Sequence, residues 1–478
     1  MNRRLIIAFT IAVTHLLPAV ATASEELKQQ AVASVDRQAE RMIDLSQQIW
    51  EFAETALHEH QSAAALANYA EEQGFEVERG VAGMPTAFIA SYGKGKPIIG
   101  IMGEYDALPG LSQTPTSFKQ AHEEGAAGHG CGHNLFGPGS LGAAVAIKEL
   151  IQAGKLKGTI RFYGTPAEEA VGGKLYMVRE GLFDDVDIAL AWHPDDRTLA
   201  DTESSQALAD MTVTFHGQSA HAAADPWNGR SALDALELFT FALNQMREHV
   251  QPTVRMHYVI KQGGDVPNVI PETAVLWLWL RDKDHQGVDD LIVRARKMVE
   301  GAAIATGTTG ELSVDYGDYE MLVNIEGAKL IQANFDWLGP IAFTRDEQKF
   351  AKEIQQATGK ETVGLKTTAE PLDLNPPDPQ GGSTDVADVS WTVPTLNLSV
   401  ATAPYDSPWH AWPVVATGGM SIGHKGMVYA AKSLAATMID LYTNPNARRA
   451  IRKEFNEDRK GQEYEGYLSD GPPPIPED

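Results

Sequence analysis

The feature that most constrains the fold is an alternation of short apolar strands with helical segments, interrupted once in the middle of the chain. Apolar runs at 97–102, 159–163 and 188–192 are separated by helical patterns such as 140–153. This alternation favours a mostly parallel sheet with helices on both faces. Ligands of such sheets bind beyond the carboxyl ends of the strands, so the residues that follow each run are candidate site residues.

The interruption lies at residues 207–319, where the order becomes strand-helix-strand-strand-helix-strand. That order is the ferredoxin-like arrangement. A chain of 478 residues also exceeds what one hydrophobic core usually supports. We therefore expect an α/β protein whose mostly parallel sheet is formed by residues 24–206 and 320–445, with a ferredoxin-like α+β domain inserted at 207–319 and a C-terminal tail at 446–478.

The amino terminus has the pattern of a secretory signal peptide. Arg3 and Arg4 precede an apolar run at 5–17 and small residues at 21–23. The run is too short and too broken by polar residues to span a membrane. We expect residues 1–23 to be removed and the mature protein to be periplasmic or secreted. The net charge of −25 opposes binding to nucleic acid or to an anionic membrane surface, so we expect neither as a partner.

The only cysteine, Cys131, lies in the glycine-rich segment Gly-His-Gly-Cys-Gly-His-Asn at 128–134. A thiolate and an imidazole two residues apart, Cys131 and His133, suit a metal ion. The alternative is a tight glycine turn around a buried, inert thiol. A single cysteine cannot form an internal disulfide, so no internal partner competes for the sulfur.

Acidic residues and histidines follow the predicted strands. Glu168 and Glu169 come after one strand and His193 ends another, while His410 lies in an aromatic loop. Adjacent carboxylates point in different directions, which suits one metal ligand and one proton carrier. Taken singly, they could equally be a solvated helix end, a capping histidine and a packed histidine. Together, five residues supply enough ligands for two divalent ions and leave Glu168 free as a base: Cys131, His133, Glu169, His193 and His410.

These motifs resemble the dinuclear metallo-peptidase and amidohydrolase family, which includes carboxypeptidase G, hippurate hydrolase and the plant auxin-conjugate hydrolases. The resemblance extends from about residue 34 to 445 and is greatest to the aminobenzoyl-glutamate hydrolase group. It also rests on the segments Glu-Tyr-Asp-Ala-Leu-Pro (104–109), Gly-Gln-Ser-Ala-His-Ala-Ala (217–223), Asn-Val-Ile-Pro (268–271) and His-Lys-Gly-Met (424–427). It implies a catalytic domain with an inserted lid and dimerisation domain.

The resemblance also implies a ligand set. Cys131 would bridge two divalent ions, zinc or manganese, and His133 and His193 would complete one metal site. Glu169 and His410 would complete the other. Two such ions lower the pKa of a shared water and polarise the amide oxygen of a substrate.

The remaining roles are carried over in the same way. Glu168 would be the general base, and Asp106 would orient a metal ligand. His221 of the inserted domain would stabilise the oxyanion in the active site of a partner chain. Asn268 and Arg281 would bind the carbonyl oxygen or the carboxylate of the substrate.

One position departs from the peptidase branch of the family. Glu104 stands where those members have a metal-binding histidine, two residues before Asp106. The amidohydrolase branch also lacks that histidine and uses a cysteine and a histidine later in the chain. Asn134 and Phe136 replace an aspartate and a further histidine of many branch members, as they do in the aminobenzoyl-glutamate-like group.

The sequence thus predicts a metal-dependent amidohydrolase that cleaves N-acyl amino acids, including aromatic acyl conjugates such as aminobenzoyl-glutamate. A dipeptidase or carboxypeptidase of the same family is an alternative. A secreted protein that binds a metal or ligand without turnover is another, although it would have no need of a free base at Glu168. Because His221 is implied to act in trans, we expect a homodimer or a heteromer with a related chain.

Overall fold

The computed structural model describes residues 23–379 and 381–475. The predicted signal peptide, except for Ala23, lies outside the described residues. Within the described ranges, no helix combines the length and the apolar character needed to cross a membrane.

The elements of the chain fall into three successive groups. The first group contains α1 (Ala23–Phe52), α2 (His60–Glu72), β1 (Glu76–Arg79), β2 (Phe88–Lys94), β3 (Ile98–Gly103), α3 (His133–Gln152), β4 (Gly158–Gly164), α4 (Gly173–Arg179), β5 (Ile188–Asp195) and β6 (Leu199–Ala200). The second contains β7 (Ala207–His216), α5 (Ala232–Met246), β8 (Arg255–Gln262), β9 (Thr273–Asp282), α6 (His285–Thr306) and β10 (Thr309–Gly317). The third contains α7 (Ile325–Leu338), α8 (Arg345–Ala357), α9 (Val386–Ser390), β11 (Thr395–Ala401), α10 (Trp412–Gly418), α11 (Ser421–Thr443), α12 (Pro445–Asp458) and β12 (Tyr467–Leu468).

The first and third groups form the large domain around a sheet of order β1-β2-β4-β3-β5-β11-β6. Its four central strands, β4, β3, β5 and β11, are parallel. The crossovers that parallel pairing requires are supplied by α3 and α4. Strands β1, β2 and β6 pair antiparallel at the two sides. The predicted α/β class is confirmed, with parallel pairing confined to the centre of the sheet.

Helix α3 connects this sheet to the outer helices and positions one end of the candidate site. It packs on β3, β4 and β5 on one side and on α1 and α11 on the other. Nearly every residue of α3 is therefore buried, from His133 at its first turn to Leu150. A helix that is apolar nearly all round belongs in the core, and its amino terminus is held rigidly at the carboxyl ends of the central strands.

The second group forms the inserted domain, whose antiparallel sheet has the order β12-β10-β7-β9-β8. Helices α5 and α6 pack on one face of this sheet, against buried residues such as Leu276, Leu278 and Leu280. The alternate residues of β9 point to the other face, which carries Trp279 and Arg281. This face, without helices, is the one that contributes to the candidate site.

Residues 446–478, predicted to be a tail, contain helix α12 and strand β12. The helix forms because Ile451 and Phe455, four residues apart, are both buried against the large domain. Beyond α12, the Tyr464 hydroxyl donates to Asp388 Oδ1 of the large domain at 2.7 Å. The Tyr467 hydroxyl donates to Asp289 Oδ1 of the inserted domain at 2.6 Å. The segment after α12 is therefore bonded to both domains.

Candidate active site

The site forms where the central strands of the large domain end. Glu104 and Asp106 follow β3, Glu168 and Glu169 follow β4, and His193 lies two residues before the end of β5. Because these strands are parallel, their carboxyl ends meet at one edge of the sheet. The residues singled out at separate places in the sequence are thereby brought together.

The glycine-rich segment approaches this edge through Gly132, which has a positive φ of 81°. A Cβ atom there would lie 2.9 Å from Cβ of Pro194, so only glycine permits this approach. The segment passes Cys131 over the strand ends and starts α3 at His133. Gly132 is therefore required both for the positive φ of this turn and for the close contact with Pro194.

One group of candidate ligands contains Cys131, His133 and His193. One ligand atom of each lies within 4.8 Å of the others. Cys131 Sγ is 3.3 Å from His193 Nε2. Burial, and after it the nearby His133, lower the pKa of His193 to about 4, so this imidazole is neutral near pH 7 and its nitrogen is free to bind a cation.

A second group contains Cys131, Glu169 and His410, again with ligand atoms within 4.8 Å of one another. Glu169 Oε2 is 3.3 Å from His410 Nε2. The backbone N–H of His410 donates to the Gly130 carbonyl at 3.0 Å, which ties the aromatic loop to the glycine-rich segment. Cys131 is shared by the two groups, as a bridging ligand would be.

The donor set fits two divalent ions. Thiolate, imidazole and carboxylate are the ligands of zinc, and the imidazoles and carboxylates also suit manganese. Glu169 Oε1 is buried with no hydrogen-bond partner among the described residues. A buried carboxylate oxygen without a partner is costly unless a cation binds it. Burial also raises the pKa of the Cys131 thiol, a shift that a bound cation would oppose.

Asp106 lies against His133, one of the candidate metal ligands. Its Oδ1 is 2.8 Å from His133 Nδ1, and its Oδ2 accepts the backbone N–H of Glu169 at 2.9 Å. Burial alone would raise the pKa of Asp106, but the adjacent His133 holds it below its usual value. A carboxylate at Nδ1 fixes a proton there, so Nε2 of His133, which lies 3.0 Å from Glu104 Oε2, would be the nitrogen that binds a metal.

Glu168 lies beside both ligand groups without belonging to either. It forms a further cluster with Glu104 and His133, with ligand atoms within 4.8 Å of one another. Burial and the neighbouring carboxylates, Glu104 first, raise the pKa of Glu168 well above its usual value. A carboxyl group with a raised pKa can both accept a proton and release it again, which is what a general base and acid requires.

The sequence analysis missed a buried ion network next to Glu168. Lys174 Nζ is 2.6 Å from Glu104 Oε1 and 2.6 Å from Asp385 Oδ1, and all three side chains are buried. The other oxygen of Glu104 is 3.0 Å from His133 Nε2. The signal in the sequence was Lys174 itself, at the second position of the otherwise largely apolar helix α4. A lysine buried in such a helix requires an acidic partner.

Arg281 of the inserted domain lines the same cavity, which has a volume of about 1070 Å³ and includes residues of both domains. Its Nη1 donates to Ser383 Oγ of the large domain at 2.8 Å. Its guanidinium lies 5.1 Å from the centre of the Trp279 ring. Arg281 is thus held at the junction of the two domains, with the rest of its donors available to a ligand.

The structure does not bring His221 and Asn268 to this cavity. Both are exposed and they neighbour one another, since the N–H of Ala222 donates to the Asn268 carbonyl at 3.0 Å. Neither residue lines the cavity that contains the metal ligands. His221 Nδ1 accepts two backbone N–H groups, at 3.1 and 3.2 Å, so the imidazole proton is on the exposed Nε2.

Comparison with known sequences gives one family and several similar proteins. Residues 100–413 match the sequence profile of peptidase family M20/M25/M40. The chain is 37% identical to one of two subunits of p-aminobenzoyl-glutamate hydrolase of Escherichia coli, over 93% of this chain and 98% of that protein. Identity to the other of these subunits is 31%, over 46% of this chain and 53% of that protein. The chain is also 30% identical to the Xaa-Arg dipeptidase of Mus musculus, over 90% and 92%.

Solved structures share the fold at low sequence identity. A putative aminohydrolase from methicillin-resistant Staphylococcus aureus superposes with a TM-score of 0.67 at 19% identity, covering 87% of this chain and all of that one. An aminobenzoyl-glutamate utilization protein from Klebsiella pneumoniae gives 0.59 at 17% identity, covering 86% and 98%. A dinuclear metal-binding peptidase of the M20 family from Bacillus subtilis gives 0.58 at 18% identity, covering 85% and 99%.

Proposed function

The chain belongs to peptidase family M20/M25/M40 and is a metal-dependent hydrolase of amide bonds; from this premise we propose that it cleaves N-acyl amino acids with a free carboxylate. Conjugates with an aromatic acyl group, such as aminobenzoyl-glutamate, are the first candidates. The observation that carries the proposal is the pair of ligand groups sharing Cys131, with the unliganded carboxyl of Glu168 beside both.

The residues divide the reaction between them. Two divalent ions held by the two ligand groups would lower the pKa of an attacking water and polarise the amide oxygen. Glu168 takes the proton of the water and returns it to the nitrogen of the leaving amine. Asp106 keeps the His133 imidazole in its binding tautomer, and Arg281 offers a guanidinium to the carboxylate of the substrate.

We also propose that two chains assemble so that His221 of one completes the site of the other. The Nε2–H of His221 is a suitable oxyanion donor, yet it is not presented to the cavity of its own chain. The inserted domain exposes Leu238 and Phe241 on α5 and Ile260 on the edge strand β8. These elements adjoin, since the Asn244 amide donates to the Tyr258 hydroxyl at 3.2 Å. An apolar patch beside an open strand edge suits a partner chain.

The partner is a second copy of this chain or a related chain. The likeness to two different subunits of one hydrolase supports the second choice. Light scattering of the purified protein separates the two: a dimer formed by this chain alone supports the homodimer. A strictly monomeric protein that is fully active would contradict assembly in either form.

The same proposal includes zinc or manganese as the metal and export to the periplasm or beyond. The sulfur and imidazole donors favour zinc, whereas the carboxylates also permit manganese. Export is supported by the charged, apolar and small-residue regions of the first 23 residues. Cleavage after Ala23 would leave α1 whole except for its first residue. Amino-terminal sequencing of the protein from the producing cells should then begin at Ser24.

The test is hydrolysis of a panel of N-acyl amino acids and dipeptides, by the chelated protein and after zinc or manganese is restored. We expect no turnover without metal and amine release from the N-acyl amino acids with it. Hydrolysis of free dipeptides alone would instead identify a dipeptidase, the candidate that the 30% identity to an Xaa-Arg dipeptidase favours. Tight binding without product under all conditions would leave the non-catalytic binding protein.

A further inference from the structure

Two arginines stand directly opposite each other on the face of the inserted sheet that lines the cavity. Arg255 of β8 is paired in register with Arg281 of β9, and His257 is paired with Trp279. Residues directly opposite in an antiparallel pair share a face and lie close together. All four side chains line the cavity that contains Cys131.

Neither guanidinium has a carboxylate partner. Among the described residues, no acidic oxygen lies within 4.0 Å of Arg255 or Arg281. Arg281 donates to the Ser383 hydroxyl at 2.8 Å, and Arg255 donates to the carbonyls of Pro252 at 2.6 Å and Val254 at 2.9 Å. Like charges directly opposite one another are destabilising in a sheet. A chain with a net charge of −25 nevertheless keeps both cations unpaired beside its cavity.

Two of the acidic residues that line the cavity, Asp201 and Asp318, offset these cations only in part. Asp201 accepts from the Asn397 amide at 2.5 Å and from the Ser399 hydroxyl at 3.2 Å, within the large domain. Burial raises the pKa of Asp201 to about 7 and that of Asp318, which is nearer Arg281, also to about 7. Both carboxyl groups are therefore partly protonated at neutral pH, and the positive charge on the sheet face remains available to a ligand.

We propose that Arg255, assisted by His257, forms a second carboxylate subsite, so that the amino acid released by this enzyme is dicarboxylic. Arg281 binds the α-carboxylate, and Arg255 binds the carboxylate of the side chain. Glutamate carries two carboxylates on one short chain, and the in-register pairing places Arg255 and Arg281 on one face of the sheet, with one guanidinium for each carboxylate. The inference rests on the proposed function and names the substrate class that this site prefers.

The test uses a matched pair of substrates that differ only in charge. N-acyl glutamate and N-acyl glutamine with the same acyl group are compared on the wild-type protein and on Arg255→Met, which keeps much of the apolar stem. We expect the wild type to prefer glutamate and the variant to lose about 10- to 100-fold in kcat/KM for glutamate, as for loss of a charged hydrogen bond. The value for glutamine should change less than about twofold.

A matched control and a conservative variant separate recognition from structure. Arg294 of α6 also donates to a backbone carbonyl, that of His249 at 3.0 Å, and does not line the cavity. Arg294→Met should leave both substrates unaffected. Arg255→Lys should recover part of the preference for glutamate, because it restores the charge without the guanidinium fork. Equal losses for glutamate and glutamine in Arg255→Met would overturn the subsite and assign Arg255 a structural role.

A binding measurement keeps the subsite separate from the proposed function. In the Glu168→Gln background, calorimetric titration with the two conjugates reports recognition without turnover. Tighter binding of the glutamate conjugate, lost in the Glu168→Gln, Arg255→Met double variant, supports the subsite even where the wild type shows no hydrolysis. No binding of the glutamate conjugate, or preference for a cationic amino acid such as arginine, overturns it.

Discussion

The large domain and the inserted domain differ in how they present the residues assigned to the reaction. The metal ligands, Glu168 and Asp106 lie together at one sheet edge, mostly buried and oriented by hydrogen bonds. His221 and Asn268 are exposed and lie outside the cavity. One chain thus brings the candidate metal ligands together and leaves His221 and Asn268 outside their cavity. Under the proposed function, the large domain would supply the metal and proton chemistry, and a second chain would supply the oxyanion donor His221.

Arg281 is the exception, because it belongs to the inserted domain and yet lines the cavity of its own chain. Its strand β9 is an interior strand of the sheet and ends at the junction with the large domain, where Arg281 donates to Ser383. His221 and Asn268 instead lie in loops, between β7 and α5 and between β8 and β9. Arg281, at the junction end of the inserted sheet, therefore lines the cavity of its own chain, whereas His221 and Asn268 in these loops do not.

The largest effect is expected from Glu168→Gln in the large domain. Removal of the general base should lower kcat by up to about 10⁴-fold while both metals stay bound, because Glu168 belongs to neither ligand group. Steady-state rates and metal content by mass spectrometry provide the check. Glu78→Gln on the exposed strand β1 is the control. Near wild-type turnover in Glu168→Gln would refute its assignment as the base.

The next effect concerns the inserted domain. His221→Ala should lower kcat by about 10²–10³-fold, as for loss of an oxyanion donor, without changing metal content. Mixing His221→Ala chains with Glu168→Gln chains should restore about a quarter of wild-type activity, because each mixed dimer contains one intact composite site. An inactive mixture, with exchange of chains verified, would show that His221 does not act across chains. Recovery would establish that the two halves of the site come from different chains.

A smaller effect is expected from Asp106→Asn, which tests the orientation of ligands in the large domain. The amide cannot serve as a charged acceptor for His133 Nδ1–H, so metal affinity should fall about 10- to 100-fold. Competition with a chromophoric chelator measures the change. Activity at saturating metal should recover in large part. Unchanged affinity would mean that His133 is held in place by packing alone.

The smallest effect is expected from Ser383→Ala at the junction of the two domains. Loss of the 2.8 Å hydrogen bond to Arg281 should raise KM by about two- to tenfold and leave kcat close to wild type. Initial-rate kinetics over a range of substrate concentrations give this comparison. Ser231, which accepts from the Asp234 N–H at 3.1 Å and does not line the cavity that Arg281 lines, offers a control serine. A fall in kcat with unchanged KM would contradict a role for Ser383 in substrate binding.

The grouping of the candidate metal ligands was predictable because its signals are local. A lone cysteine between glycines, two adjacent glutamates and a histidine at a strand end each stand out in the sequence, and parallel strands bring such residues together. The α/β class followed from the alternation of strands and helices in the same way. The parallel pairing proved to be central only, because the sequence does not specify which strands lie at the sides of the sheet.

Other parts of the molecule depend on contacts between segments that are distant in the sequence, and no local sequence pattern predicts such contacts. Lys174 meets Glu104 and Asp385 only after three separate segments have folded, so its pairing was missed. The opposed pair of Arg255 and Arg281 depends on the register of β8 and β9. The proline-rich end suggested a loose tail, whereas Tyr464 and Tyr467 bond the segment before it to both domains.

The carboxyl-terminal segment is synthesised last, and this order determines when its bonds to the two domains can form. Residues 459–475 are the last described part of the chain, and they bond to Asp388 of the large domain and to Asp289 of the inserted domain. During translation both sheets, except for the two residues of β12, have left the ribosome before this segment emerges. A chain that ends early near residue 458 would therefore contain almost every element of both domains and still lack the two tyrosine hydroxyls that bond to Asp388 and Asp289.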